Sequence, residues 1–351
     1  MKEAVLRSIA RILCNSDLSR NRLFKLSSVR DKAIERFVEA NELLAKNDYI
    51  CNTVDLCGLA DVDVIIFYGI ASDLKWLIKT VKSNPQVILI NIPLEPPVVS
   101  FFHNKQMLSA LTFDIIMVWN DELAEKNVPF VKANIGEAVI YPDVIPLVSF
   151  NERRFLVAIY SNKFIKHENS LYGERLKAFD YFSEQPEGLD LYGVGWDKSI
   201  RSSILASYQG KCETKKDVLK NYKFSLCFEN AKEYPGYITE KIFDCFAAGT
   251  VPIYYGAPNV QEYIPNTCFI DFRDFGGYEE LYRYLVEMTE AEYQTFLDAV
   301  KDFVVTPEYY EFTSKRYAEI ILDHIKLVTN ETKPNRTVLG LNWALFKIVL
   351  N

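Results

Sequence analysis

Residues 221–258, NYKFSLCFENAKEYPGYITEKIFDCFAAGTVPIYYGAP, carry two strand patterns, a loop and a helix around several charged side chains. The run 223–228 is short and rich in β-formers, which predicts a buried strand. It empties into Glu229 and Asn230, then into a loop whose Pro235-Gly236 pair marks a turn. Thr239 stands at the N-cap position of the next helix. Over 238–248 the apolar residues Ile242, Phe243, Phe246 and Ala247 recur at helical spacing, and Gly249 stops the helix. Residues 251–255 then start a second buried strand. The whole is a βαβ unit, and Glu229, Asn230, Tyr237, Glu240 and Lys241 all fall where its first strand ends and its helix begins. Open α/β sheets bind their ligands there, and a helix N-terminus carrying a lysine suits a phosphate. Taken singly, Glu240 and Lys241 read as well as solvated first-turn charges, and Tyr237 as a loop aromatic.

A chain of 351 residues with 49% hydrophobic content can build two cores. The net charge of −7 argues against a nucleic-acid binder, which would usually show a basic face. None of the seven cysteines is in C-x-x-C spacing, which predicts reduced, buried thiols, and the three histidines have no zinc-like spacing with Cys or carboxylates. No signal peptide or spanning segment is evident, so the expected location is cytoplasmic. On that expectation the acceptor letters at Asn330 and Asn335 are chance matches.

Outward from the central stretch, helix and strand patterns alternate. Residues 1–20 predict a short amphipathic helix through Val5, Ile9, Ile12 and Leu13, and 29–45 a stronger one. Strands are expected at 64–68, 87–92 and 113–119, with a helix at 71–81. In the second half the expected strands are 155–160, 189–195 and 269–272, and the expected helices 170–182, 215–222, 278–288, 291–303 and 307–328. This rhythm predicts parallel, doubly wound sheets in two domains, 1–150 and 151–330, joined through 141–146. Residues 331–351 form a tail apolar nearly all round. It either packs back as a terminal helix or offers peripheral membrane contact or self-association. Asp61-Val-Asp63 spells a metal-binding D-x-D but precedes its strand, where a strand-entry turn is the simpler reading. Gly193-Val-Gly195 is likewise a tight turn rather than a full phosphate loop. In the first half the informative acid is Glu95, because Pro93, Pro96 and Pro97 stiffen its loop at the carboxyl end of a predicted strand.

FEN at 228–230 and, after a short loop, GYITEKIFDCFAAGTVPIYYGAP closely resemble the donor-binding signature of family 10 glycosyltransferases, the α-1,3/1,4-fucosyltransferases that use GDP-fucose. The resemblance is dense over 221–275 and thinner elsewhere; Ala231 and Tyr255 replace the family's usual Ser and Trp. It implies an α/β GT-B architecture of two Rossmann-like domains facing a central cleft, acceptor-binding first and GDP-sugar-binding second. It implies Glu95 as catalytic base, Arg175 at the donor pyrophosphate, and donor contacts from Asn230, Tyr237, Glu240 and Lys241. No metal or other cofactor is expected; GDP-fucose is a co-substrate, and the partner is a GlcNAc- or Glc-containing glycan, fucosylated in α-1,3 linkage with inversion. Two alternatives stay open: another GDP-deoxyhexose donor, or a non-catalytic nucleotide- or glycan-binding module.

Overall fold

The computed structural model describes residues 11–15, 19–28, 34–56, 62–68, 80–99, 113–126, 129–138, 148–198 and 201–330. Two compact units emerge, one of 1–133 with 314–351 and the other of 134–313. This division differs from the expected 1–150 and 151–330, because the chain returns to the first unit for its last long helix.

The first unit is built on a six-stranded parallel sheet: β1 (Arg11–Asn15), β2 (Ile50–Thr53), β3 (Val64–Tyr68), β4 (Ile88–Ile92), β5 (Ile115–Val118) and β6 (Phe130–Lys132), in the order β2-β1-β3-β4-β5-β6. Burial on both faces explains why β3 and β5 are unbroken apolar runs rather than alternating ones, and why β4 is apolar but for Asn91. With residues 1–10 and 16–18 outside the described residues, residues 11–15 form a strand where the helix expected over 1–20 would run. They pair in parallel with β2 on one side and β3 on the other. Over so short a run, Ile12 and Leu13 satisfied a helical and a strand pattern alike. Helix α1 (Glu35–Lys46) buries Phe37, Ala40 and Leu44, and the short helix α2 (Asp121–Ala124) comes after β5 with Asn120 as its cap.

The second unit holds β7 (Arg154–Ile159), α3 (Tyr172–Ser183), β8 (Asp190–Tyr192), α4 (Ser202–Ser207), β9 (Tyr208–Gly210), α5 (Lys215–Leu219), β10 (Tyr222–Phe228), α6 (Glu240–Ala248), β11 (Val251–Tyr255) and β12 (Ile270–Asp271). Its six strands are all parallel, in the order β12-β11-β10-β7-β8-β9. The chain enters at the centre, winds outward through β8 and β9, then crosses back to lay β10 on the other side of β7. The switch point therefore lies between β7 and β10, and ligands of such sheets bind beyond the carboxyl ends of those strands. Alternate residues serve two cores. Val157 and Cys227 join the cluster of Phe243, Phe246 and Phe312, whereas Leu156, Leu226 and Phe228 join that of Phe179, Phe182 and Ile253.

Helices α7 (Tyr278–Glu287) and α8 (Glu290–Phe303) come next, the latter opened by a Thr289/Glu292 capping box. The single helix expected over 307–328 is two, α9 (Pro307–Tyr310) and α10 (Ser314–Asn330). Between them the Phe312 carbonyl accepts from the Ala138 N–H at 2.9 Å, a bond within the second unit. Helix α10 belongs to the first unit, where the Arg36 guanidinium of α1 lies 5.2 Å from the Tyr317 ring. Among the described residues no helix is long and apolar enough to cross a membrane, and Cys51, Cys212, Cys227, Cys245 and Cys268 are free thiols. Asp61, the predicted helix at 71–81 as far as residue 79, residues 141–146 and the tail 331–351 lie outside the described residues.

Candidate active site

The polar residues of the 221–258 stretch converge at the end of β10. Glu229, the first residue past the strand, is fully enclosed, and its N–H donates to the Tyr255 carbonyl at 2.8 Å, continuing the β10–β11 ladder. A buried carboxylate costs several kcal/mol unless it is paired and hydrogen-bonded. Here both oxygens are used. Oε1 accepts the Thr239 N–H at 2.8 Å, and Oε2 accepts the Lys241 ammonium at 2.9 Å. The Thr239 hydroxyl reaches the two oxygens at 3.0 and 2.8 Å and accepts from Lys241 Nζ at 2.8 Å. Thr239 is the N-cap residue of α6 by position, yet its hydroxyl makes no capping bond. Instead the carboxylate of Glu229 takes the orphan N–H at the helix start, where the helix dipole favours negative charge.

Glu240 and Lys241 occupy the first turn of α6. Lys215, the first residue of α5, bonds to Glu240 at 3.2 Å and to Asp244, one turn on, at 2.8 Å. Burial alone would raise the Glu240 carboxyl, but Lys241 and then Lys215 hold it well below the usual carboxylate range. Burial likewise opposes charge on Lys241 and Lys215, and their acidic neighbours overcome it, so both stay protonated beyond the ordinary lysine range.

Arg175 arrives from the first turn of α3 and is buried, 5% exposed. Its Nη2 donates to the Phe228 carbonyl at 2.7 Å and to Asn230 Oδ1 at 3.0 Å, and Nε to the same carbonyl at 3.2 Å. The guanidinium lies 4.1 Å from the Tyr160 ring centroid and 4.9 Å from that of Tyr172. Tyr160 sits one residue past β7 and its hydroxyl donates to the Leu226 and Phe228 carbonyls at 2.8 and 3.1 Å while accepting from the Phe228 N–H at 2.7 Å, stitching β7 to β10 at the switch point. Arg175 is thus a buried arginine that binds the end of β10, not a solvated one on a helix surface. The loop after Asn230 is tied back to the entry of α3 by Leu171 N–H to the Asn230 carbonyl at 3.2 Å and Lys232 N–H to the Asn169 carbonyl at 2.9 Å.

Tyr237 is 2% exposed, and its carbonyl accepts from the Tyr254 hydroxyl at 3.4 Å. Gly193 has φ 140, and a Cβ there would stand 1.8 Å from the Tyr160 carbonyl oxygen, so the turn reading of this glycine suffices. Sequence reasoning singled out Glu229 only as a neighbour and missed Lys215 and Tyr160.

Glu95 belongs to the other unit. It is exposed, in a bend three residues after β4, and the next turn is closed by Val99 N–H to the Pro96 carbonyl at 2.9 Å. Asn91, in β4, is 9% exposed and its buried Oδ1 has no partner among the described residues. Among the described residues no group of three or more His, Cys, Asp or Glu is placed to hold a metal ion.

The sequence model of Glycosyltransferase family 10 (fucosyltransferase) C-term matches residues 151–334, over half of the chain. The chain belongs to this family. Its similarity to the alpha-(1,3)-fucosyltransferase FucT of Helicobacter pylori is 41% identity over 87 residues, 25% of this chain and 17% of that protein. To the bovine (Bos taurus) 4-galactosyl-N-acetylglucosaminide 3-alpha-L-fucosyltransferase 9 it is 34% over 153 residues, 42% of this chain and 38% of that one. The match thus spans well under half the length of either curated relative. The crystal structure of an alpha1,3-fucosyltransferase with GDP-fucose superposes with a TM-score of 0.56, covering 96% of both chains at 15% identity. At that identity the likeness is one of fold, and it puts this family 10 chain in the two-Rossmann GT-B class.

Proposed function

We propose that the chain is a GDP-fucose-dependent α-1,3-fucosyltransferase that acts with inversion on a GlcNAc- or Glc-containing glycan. The observation that carries this reading is the gathering of Arg175, Asn230 and Lys241 beyond the carboxyl end of β10, at the switch point of the unit whose sequence matches the family. A GDP leaving group needs positive charge at its diphosphate, and the first turn of α6 with Lys241 and the nearby Arg175 supplies it. Glu95 of the first unit is the base. Its carboxylate takes the proton of the acceptor hydroxyl as that oxygen bonds to the anomeric carbon, and the bond to the phosphate oxygen breaks with its electron pair leaving on GDP. The chemistry calls for no divalent cation, since protein cations neutralise the departing charge. The relatives named as fucosyltransferases and the GDP-fucose complex of similar fold support the choice of donor. Ala231, a departure from the family signature, is fully buried and bridged to Ser170, which weakens it as a ground for a different donor sugar. A cytoplasmic enzyme acting on a cytoplasmically assembled glycan is the setting this reading favours.

Incubation with GDP-fucose and N-acetyllactosamine, read by mass spectrometry, tests the proposal. A product heavier by one deoxyhexose is expected. Transfer only from another GDP-deoxyhexose overturns the donor assignment, and GDP binding without transfer to any of a panel of glycans makes the chain a binding module.

A further inference from the structure

The geometry points to Glu229 as a positioning residue for donor binding, one that fixes the Lys241 ammonium and the start of α6 in the single arrangement able to receive a diphosphate. This rests on the fucosyl-transfer reading above. Glu229 itself is fully enclosed, so it acts through its neighbours.

Three observations carry the inference. First, Glu229, Thr239 and Lys241 form a closed triangle: the carboxylate binds both partners, and the lysine also donates to the threonine hydroxyl at 2.8 Å. A lysine stem is flexible and its ammonium has three donors. Among the described residues two of these are taken, by Glu229 Oε2 and Thr239 Oγ1, and Glu240 Oε1 at 3.9 Å is beyond hydrogen-bond reach. With two donors pinned, the third has one direction left, and the Lys241 side chain is 18% open to solvent. Second, the interior has been shaped around this carboxylate. A Cβ at Gly256 would stand 2.6 Å from both Glu229 Cγ and the Tyr254 hydroxyl, so a larger residue there would displace the acid or the tyrosine packed beside it. Third, stability alone gives little reason for the pair, because a buried ion pair is typically no more stabilising than apolar residues of similar volume. Glu229 also subtracts charge from Lys241. A site that needed only positive field for a diphosphate would do better without it, so its value lies in geometry.

That last point makes the idea testable by isothermal titration of GDP, which needs no turnover. Wild type, Glu229→Gln, Lys241→Met and the double variant are compared. Gln keeps an acceptor for the Thr239 N–H but releases the ammonium, and GDP affinity should fall about 10-fold, in the range of one charge-assisted contact. Lys241→Met should lose about 10- to 100-fold. The double variant should bind no more weakly than Lys241→Met, since Glu229 has nothing left to position. Additive losses, or tighter GDP binding by Glu229→Gln, overturn the proposal; the latter would mean that Glu229 only tempers charge. If thermal denaturation shows Glu229→Gln unfolded, Glu229→Asp takes its place in the same cycle and must lose affinity only while Lys241 is present. A wild type that does not bind GDP at all would sink the fucosyl-transfer reading itself, separately from this one.

Discussion

The two units organise acidic side chains at their sheet ends in opposite ways. In the second, Glu229 is fully enclosed and the acids near the strand end are engaged by lysines: Glu229 by Lys241, Glu240 and Asp244 by Lys215. In the first, Glu95 is exposed and its place is restrained by the chain, through Pro93, Pro96 and Pro97 and the turn closed at Val99. A group that must stay charged while a diphosphate arrives and departs gains from enclosed partners, which make its geometry cheap to keep. On the proposed reading Glu95, as the group that takes a proton from an incoming hydroxyl, has to be accessible to it, so rigidity comes from backbone conformation instead. The topologies differ too. Order β2-β1-β3-β4-β5-β6 puts the first unit's switch point between β1 and β3, away from the loop of Glu95, whereas the second unit's switch point lies directly at its cluster.

The largest effect should come from removing the exposed carboxylate of Glu95. Glu95→Gln keeps size and hydrogen bonding but cannot accept the proton, so turnover should fall about 10²–10⁴-fold while GDP affinity, measured by titration, stays within about 2-fold. Activity within a few-fold of wild type would place the base elsewhere, and Asp63 or Asp121 would be tested next.

A smaller but two-sided effect is expected of Arg175→Met. The variant leaves the Phe228 carbonyl short of its Arg175 donors and removes a guanidinium beside Tyr160 and Tyr172, costing about 1–3 kcal/mol of stability. GDP affinity should fall alongside, because the buried arginine orders the strand end as well as carrying charge. Thermal unfolding and GDP titration on the same samples separate the two. Weakened GDP binding with an unchanged unfolding temperature would mean that Arg175 acts on the ligand alone.

These contrasts also mark how much of the molecule is legible in its sequence. Buried parallel strands declare themselves, β3 and β11 as apolar runs and β4 and β10 as runs broken only by Asn91 and by Lys223 and Ser225, and the Gly249 stop appears at φ 65, left-handed as a helix-ending glycine should be. Strand β1, however, is five residues long, and β2 and β9, with sequences ICNT and YQG, are short and partly polar, so pairing in the sheet rather than local pattern makes them strands. The split between α9 and α10 was hidden because Phe312 and Thr313 continue a helical apolar rhythm while burying in the second unit. The signature resemblance points to Lys241 and Arg175, and the fold brings both to the end of β10. It does not point to Lys215, which meets Glu240 across 25 positions of sequence, a contact only the packing of α5 against α6 creates.

The enclosed cluster should also reveal itself in acid. Because its cationic neighbours depress the Glu240 carboxyl, the folded state holds that proton less tightly than the unfolded chain does. The stabilisation is therefore complete above the ordinary glutamate value of 4.5 and drains away as pH falls below it. Glu240→Gln should unfold at a lower temperature than wild type at pH 7, and the gap should narrow steadily below about pH 4.5. A gap independent of pH would show that the carboxylate's charge is not what Lys241 and Lys215 are holding. In the alkaline direction Lys241 and Lys215 are raised, so their share persists through pH 10.5 and is lost only above it.

The smallest effect is reserved for chelation. If the departing diphosphate is met by Lys241, Arg175 and the N–H groups at the start of α6, a divalent ion has no charge left to neutralise, and its removal should change turnover by less than about 2-fold. The comparison between the units sharpens this. On the proposed reading the cluster would bind a phosphate through protein groups, whereas a metal-dependent site would need unengaged carboxylates near the donor, and Glu229, Glu240 and Asp244 are already engaged by Lys241 and Lys215. Activity measured after exhaustive EDTA treatment, with and without added Mg²⁺ or Mn²⁺, decides the matter. Complete loss restored by the metal would shift attention to Asp61 and Asp63 and turn their strand-entry position into a ligand-bearing one.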